Sequence, residues 1–291
     1  MKGIILAGGS GTRLYPITEG ISKQLMPIYD KPMIFYPLAT LMLAGIKEIL
    51  VITTPQDQPA FKNLLKDGSQ FGISISYVVQ PSPDGLAQAF ILGEEFIGDD
   101  ECAMVLGDNI FYGNGFNESL ERARENAEKG EATIFGTQVK DPQRFGIMEL
   151  KGHKVISVEE KPQNPKSNYA ITGLYFYPKG VAAKAKEIKP SARGELEITT
   201  LNDMYLQEGA LQAELLGEGF TWFDTGTFDS QLDAANMIKS IEANKDKVIC
   251  CPEQIAYYKN WITKDELKAR AELLKKNTYG QYLLKVVEET K

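Results

Sequence analysis

The apolar run Ile4-Ile5-Leu6-Ala7 passes directly into Gly8-Gly9-Ser10-Gly11-Thr12-Arg13, and Lys23 follows within a loop's reach. A short β-prone run that ends in three glycines predicts the first strand of an α/β sheet, turning sharply at its carboxyl edge. Glycine takes positive φ freely, so successive N–H groups can converge on one concavity with no Cβ in the way. Such a nest accepts an anion, and Arg13 and Lys23 supply cations beside it. Two commoner phosphate patterns do not fit. The third glycine of G-x-G-x-x-G would fall on Leu14, and a P-loop lysine counted from Gly3 would fall on Gly9. A glycine-rich turn without a ligand is the plainer alternative, but sheets of this kind bind ligands where their first strand ends.

With 291 residues, 43% of them hydrophobic and 24% charged, the chain can bury a large core in one wide domain or two. Its net charge of −7 argues against binding nucleic acid, which needs clustered Lys and Arg over an extended face. A single nucleotide needs only a few local cations. The N-terminal apolar run is too short for a signal peptide, and Pro37 with Thr40 interrupts the next one. A cytoplasmic protein with no membrane attachment is expected. Cys102, Cys250 and Cys251 lack zinc spacing, and a single histidine, His153, leaves no His-rich metal cluster. Cys102 sits in an apolar run and reads as a small buried hydrophobe.

Short β-branched runs alternate with longer helical patterns, predicting an α/β fold: a Rossmann-like, mainly parallel sheet flanked by helices. Strands are expected near Gly3 to Ala7, Glu48 to Thr53, Ser74 to Val79, Cys102 to Leu106 and Ala132 to Gln138. Helices fill the gaps at Met33 to Ala44, Gln58 to Leu65, Gly85 to Phe96 and Asn117 to Ala127. From about Gly146 the pattern changes to hairpins, with Gly146 to Leu150 and Lys154 to Glu159 flanking a turn that carries His153. Tyr169 to Tyr177 reads as a strand, Glu197 to Gln207 and Asp229 to Ala243 as helices, and two helical pieces follow Thr263. The expected division is a Rossmann-like core over 1–140, a hairpin-containing part over 141–228 and a C-terminal helical region over 229–291.

Four constellations carry candidate chemistry. Asp108 follows the strand Ala103 to Leu106 through Gly107, which projects its carboxylate at the carboxyl edge of the sheet. Asp224 ends the aromatic run Trp222-Phe223 before Thr225-Gly226. Each alone could be an Asx cap; beside a phosphate loop the two suggest Mg2+, which takes one or two carboxylates plus substrate phosphates. In Glu159-Glu160-Lys161-Pro162, a solvated salt-bridged edge is the alternative to Lys161 as a second phosphate clamp and Glu160 as an acceptor for substrate hydroxyls. Gln80 closes Tyr77-Val78-Val79, where its amide is either a surface group or faces a base edge.

Taken together, Gly8 to Arg13, Ser22-Lys23-Gln24-Leu25-Met26-Pro27, Gln80 to Gly85, Gly107-Asp108-Asn109, Glu159 to Pro162, Tyr169 to Gly173, Arg193-Gly194-Glu195-Leu196-Glu197 and Asp224-Thr225-Gly226 resemble the glucose-1-phosphate thymidylyltransferases among the sugar-phosphate nucleotidyltransferases. The likeness runs over essentially the whole chain. It implies transfer from dTTP to α-D-glucose 1-phosphate, giving dTDP-glucose and pyrophosphate, a first step towards dTDP-rhamnose and polysaccharides. By that resemblance Gly8, Gly11, Thr12 and Arg13 hold the triphosphate with Lys23, while Gln24, Gln80 and Gly85 meet thymine and deoxyribose. Asp108 and Asp224 bind Mg2+, and Asn109, Gly146, Glu160, Lys161 and Ile171 line the sugar phosphate; Arg13, Lys23 and Lys161 are the catalytic cations. The resemblance also implies a homotetramer, with dTDP-rhamnose as an allosteric inhibitor at a second site near Cys251 to Ala256.

The nucleophile would be a phosphate oxygen already ionised at neutral pH, which suits a chain with one histidine. A glutamine amide alone does not choose the base, since half a turn matches cytosine instead of thymine or uracil. A UTP- or CTP-using relative and a non-catalytic nucleotide sensor therefore stay open. A dehydrogenase is disfavoured by the missing third glycine and by Thr53-Thr54 where an acid would stand.

Overall fold

The computed structural model describes residues 1–9 and 11–289. Strand β1 (Lys2–Ala7) leads through three 3-10 turns to the hairpin β2 (Pro27–Ile28) and β3 (Lys31–Pro32), then α1 (Phe35–Leu43). Next come β4 (Glu48–Thr53), α2 (Gln58–Leu65), β5 (Ser74–Val79), α3 (Gln88–Leu92), α4 (Glu94–Ile97) and β6 (Cys102–Leu106). They are followed by β7 (Asn109–Gly113), α5 (Phe116–Glu128), β8 (Ala132–Gln138), β9 (Gly146–Lys151), β10 (Lys154–Glu160) and β11 (Tyr169–Tyr177). The chain closes with α6 (Val181–Lys186), α7 (Ile198–Gln207), β12 (Leu211–Leu215), β13 (Phe220–Asp224), α8 (Phe228–Lys245), α9 (Pro252–Tyr258), α10 (Lys264–Leu274) and α11 (Thr278–Glu289). No helix among the described residues is long and apolar enough to cross a membrane.

Nine strands form one sheet in which all but β10 and β11 run the same way, so the expected mainly parallel α/β sheet is present with antiparallel insertions. Alternation along β1 explains why both faces are covered. Ile4 and Leu6 join the core under α3, α6 and α7, whereas Ile5 and Ala7 join the core under α1, α2 and α5. Helix α1 is apolar on all sides and buried from Phe35 to Met42, since it packs between the sheet and α9.

The predicted helix from Gly85 to Phe96 is corrected to a loop followed by two short helices. Gly85 has φ +108, and a Cβ there would stand 2.4 Å from the backbone of Leu196. The two chain segments are laced at that point by Leu196 N–H to Asp84 O at 2.6 Å and Ala87 N–H to Leu196 O at 3.1 Å. The ribbon β7–β13 and the edge strand β12 were not expected. His153 lies exposed in the β9–β10 turn as expected, and Cys102 is fully buried, its thiol pushed up by that burial.

The C-terminal helices share the core of the β1 face, through Ala256, Leu267, Ala271 and Leu283. Glu253 pins them. Its fully buried carboxylate accepts from Arg270 Nε at 3.1 Å and from Tyr279 Oη at 2.5 Å, tying α9 to α10 and α11. Removing one partner leaves a buried charge under-compensated. Because Tyr279 still donates to Glu253, Arg270→Ala should destabilise the fold by about 2–3 kcal/mol, as for a lost hydrogen bond to a charged group, read from urea unfolding at neutral pH, with Arg270→Lys closer to wild type.

Candidate active site

Strand β1 has β4 on one edge and β6 on the other, so a crevice opens beyond the carboxyl ends of β1 and β6. Gly8 and Gly9 enter it from β1, and Asp108 from β6. Three cavities meet there, of about 210, 220 and 430 Å3. Asp108 lines the first and third, Lys23 the first and second, and Arg13 the second and third. They form one continuous cleft.

The first cavity gathers Gly8, Gln24, Gln80 and Gly85 with Leu6, Leu86 and Leu106. Gln24 is 1% exposed; its Oε1 accepts from Ser22 Oγ at 2.7 Å, which turns its amide nitrogen towards the carbonyl of Gly8. Gln80 is 6% exposed at the end of β5, so the surface reading of this residue is set aside. The second cavity is lined by Gly9, Gly11, Thr12, Arg13, Lys23 and Gly226. Gly9 and Gly11 both take positive φ, at 92° and 61°, as a concave loop requires. Ser10, in the predicted nest, lies outside the described residues.

Two carboxylates meet where the cavities join. Thr225 donates from both N and Oγ1 to the carbonyl of Asp108, at 3.1 and 2.7 Å, which brings the end of β13 against the end of β6. Burial opposes ionisation of Asp108, but Lys23 Nζ and Asn109 Nδ2 both donate to its carboxylate and hold it below the usual carboxylate range. Asp224 goes the other way: burial first, and then the charge of Asp108, push its carboxyl above that range against the pull of Lys23 and Arg13. Among the described residues, neither carboxylate accepts from a following backbone N–H. No cluster of three or more metal-binding side chains exists among the described residues. Two carboxylates with a like-charge strain between them fit a divalent cation that completes its shell with substrate oxygens and water, as Mg2+ does.

The third cavity holds Asn109, Gly146, Glu160, Lys161 and Ile171, together with Arg13, Asp108 and Asp224. Lys161 adopts φ +43, in the left-handed region that disfavours a side chain, and its N–H donates to Phe145 O at 3.0 Å. Its ammonium stands 3.6 Å from Glu160, which also accepts from Thr199 Oγ1. Asn109 lines the cavity, but its side chain is committed to the protein. Its Oδ1 accepts from Gly173 N at 3.1 Å and from Trp222 Nε1 at 2.6 Å. A Cβ on Gly173 would stand 2.7 Å from that oxygen, so only glycine allows the bulge of β11 to come this close.

The sequence reading missed further residues of the wall. Arg193 stands in the third cavity with its guanidinium against Glu197 at 2.9 Å, Glu195 at 3.1 Å and Glu160 at 3.6 Å, and Trp222, Thr199, Arg144, Phe145 and Tyr175 are also part of the lining. Arg193, Glu197 and Trp222 lay in motifs already noted, but nothing local in them says that they face a ligand. Asn109→Ala would leave two buried N–H donors unpaired. The expected loss is about 2–4 kcal/mol of stability, measured by chemical denaturation; Asn109→Asp keeps the acceptor for Gly173 and Trp222 but sets a second carboxylate against that of Asp108 and should not restore it.

Residues 2–241 match the family described as Nucleotidyl transferase. The chain is 58% identical over 290 residues to a glucose-1-phosphate thymidylyltransferase of Neisseria meningitidis serogroup A, covering 99% of this chain and 100% of that one. A glucose-1-phosphate thymidylyltransferase of Mycobacterium tuberculosis is 53% identical over 289 residues, 99% of each chain. Among solved structures, a Bacillus anthracis chain assigned as a glucose-1-phosphate thymidylyltransferase, in complex with a sucrose, aligns with a TM-score of 0.76 and 42% identity over 81% of this chain and 94% of that one. A UDP-glucose pyrophosphorylase complexed with UDP-glucose aligns at a TM-score of 0.70 and 25% identity, over 82% and 98%. Full-length identity of this order leaves one conclusion: the chain belongs to the glucose-1-phosphate thymidylyltransferases, an enzyme family of the nucleotidyl transferases.

Proposed function

We propose that the protein transfers the thymidylyl group of dTTP to α-D-glucose 1-phosphate, releasing pyrophosphate and forming dTDP-glucose, a step towards dTDP-rhamnose. The observation that carries this reading is the meeting of three cavities at Asp108, Lys23 and Arg13. Family membership supplies the reactants, and the cavities sort them by chemistry. The first, glutamine-lined and partly apolar, suits the base and deoxyribose; the second, glycine-lined with two cations, suits the triphosphate. The third, with Glu160 and Lys161, suits the sugar phosphate.

A phosphate oxygen of glucose 1-phosphate attacks the α-phosphorus in line, the new P–O bond forming as the bond to pyrophosphate breaks. No proton has to be removed. The obstacle is the approach of two polyanions, whose repulsion reaches several kcal/mol at short range in a cleft. Arg13, Lys23 and Lys161, with Arg193 beside them, hold both anions and balance charge on the pentacoordinate phosphorus and the leaving group. Asp108 and Asp224 would hold Mg2+, which when bound neutralises phosphate charge as a Lewis acid. Both substrates are polyanions that do not cross a bilayer unaided, which goes with a cytoplasmic location.

Phe228 and Leu232, one turn apart and exposed on α8, favour an oligomerisation role for the C-terminal region, and a homotetramer is the assembly the family resemblance implies. In the expected second-site segment Cys251, Pro252, Glu253 and Ala256 are buried, and Gln254 and Ile255 are partly exposed. Next to its start, a cavity of about 430 Å3 lined by Tyr112, Gly115, Lys245, Lys247, Ile249 and Cys250 offers the space and the cations that an inhibitory dTDP-rhamnose would use.

Pyrophosphate release with Mg2+ across dTTP, UTP, CTP and ATP against several hexose 1-phosphates tests the reading; dTTP with glucose 1-phosphate should give the highest kcat/KM. Lys161→Ala should lower kcat/KM for glucose 1-phosphate by about 2–4 kcal/mol in transition-state terms, and an unchanged value would take Lys161 out of the site. Because Asp224 is pushed up and Asp108 held down, Asp224 is the first of the pair to take a proton as pH falls. The half-saturating Mg2+ concentration should therefore climb as pH drops towards the raised value of Asp224. Asp224→Asn should need more Mg2+ at neutral pH and show less of that climb, whereas a wild-type titration curve would reassign Asp224 to a structural role.

A further inference from the structure

A chain of hydrogen bonds ending on a carboxylate holds the amide of Gln80 from behind. Gln80 Nε2 donates to Gln88 Oε1 at 2.7 Å, and Gln88 Nε2 donates to Asp84 Oδ2 at 2.8 Å. The same oxygen of Asp84 accepts from Ser82 Oγ. A carboxylate only accepts, so Asp84 must take the nitrogen end of Gln88. That turns Gln88 Oε1 towards Gln80, and an oxygen can take only the nitrogen end of Gln80. The polarity of the whole chain is set at its outer end.

The remaining oxygen of Gln80 has no donor among the described residues. It lies over Gly8, where a Cβ would stand 2.5 Å from it, and both residues line the first cavity. The lock is anchored: Asp84 O accepts from Leu196 N, and Ala87, just before α3, donates to Leu196 O. Asp84 and Gln88 are thus braced against a second segment of backbone and do not depend on loop conformation alone.

We infer that Asp84 and Gln88 are positioning residues that fix base choice, by making Gln80 present an accepting oxygen to the cavity; this rests on the reading of that cavity as the base site. A nucleobase with an imide N–H, thymine or uracil, can donate to that oxygen. Cytosine in the same pose brings a ring nitrogen that also accepts, setting two lone pairs face to face and leaving both unpaired. A freely turning glutamine amide would serve either base. The locked one serves only the first.

The test compares dUTP with dCTP, which differ only along this base edge, as kcat/KM in pyrophosphate release with glucose 1-phosphate. Wild-type turnover of dTTP is measured first, and its absence would overturn the reading of the cavity itself. Gln88→Lys keeps a partner for Asp84 but puts a donor where Gln80 finds an acceptor, and should lower the dUTP to dCTP ratio by about tenfold or more. Asp84→Asn, nearly the same shape, removes the fixed polarity and should lower the ratio several-fold, while Asp84→Glu restores it towards wild type. A general loss of fold would lower both substrates together. If dTTP is turned over and the ratio stays at wild type in Asp84→Asn and in Gln88→Lys, the lock is overturned. Should Gln88→Lys not fold, the ratio in Asp84→Asn decides alone.

Discussion

The ion pair between Lys23 and Asp108 joins the loop after β1 to the end of β6, and the crevice is arranged around it. Asp108 has little water to solvate it and a second carboxylate, Asp224, close by. Two unit charges 4 Å apart repel by about 4 kcal/mol at the effective dielectric of a protein surface, so this arrangement persists only where cations surround it. Lys23 and Arg13 meet that need. The same cations face the two cavities in which phosphate groups would sit, so the charges that make the carboxylate pair tolerable also make the site receptive to anions.

Around this centre the protein uses neutral groups to hold charged ones still. Asn109 donates to Asp108 and accepts from Gly173 and Trp222, so a single amide ties β7 to the bulge of β11 and to the ribbon strand β13. The bulge shifts the pairing of β11 with β8 between Ile171 and Tyr175, and Ile171 and Tyr175 both line the third cavity. The walls of that cavity are therefore set by sheet geometry, which is stiffer than a loop. Across the crevice, Gly85 lets the backbone of Leu196 pass close by, lacing the segment that carries Gln80 and Asp84 to the one that carries Arg193 and Glu197. The walls of the first and third cavities are joined by backbone hydrogen bonds and cannot drift apart independently.

Much of this was legible in the residues. The β-branched runs became strands within a residue of their predicted ends, because a short apolar or alternating run bounded by turn residues is enough to mark a strand. The glycine loop announced itself by composition. Gln80, Asp108 and Asp224 were each marked by ending an apolar or aromatic run, which places a polar group at a sheet edge. Less legible were β7 and β13, whose pairing depends on each other and not on the main sheet, and the helix after Gly85, which a helical pattern extended through a residue held at positive φ by a distant contact.

By itself, then, the sequence determined the local chemistry: which segments are strands, where the chain can turn through glycine, and which side chains carry charge at the end of a strand. Only the tertiary structure decided which of those groups meet. Trp222 reaches Asn109 across 113 residues, and Lys23 reaches Asp108 across 85, separations at which periodicity and propensity carry no information. The orientation of the Gln80 amide is likewise decided only by the folded arrangement, although its links span just eight and four residues. It is set by a carboxylate two hydrogen bonds away, because the direction of a hydrogen bond is a property of the pair and not of either residue.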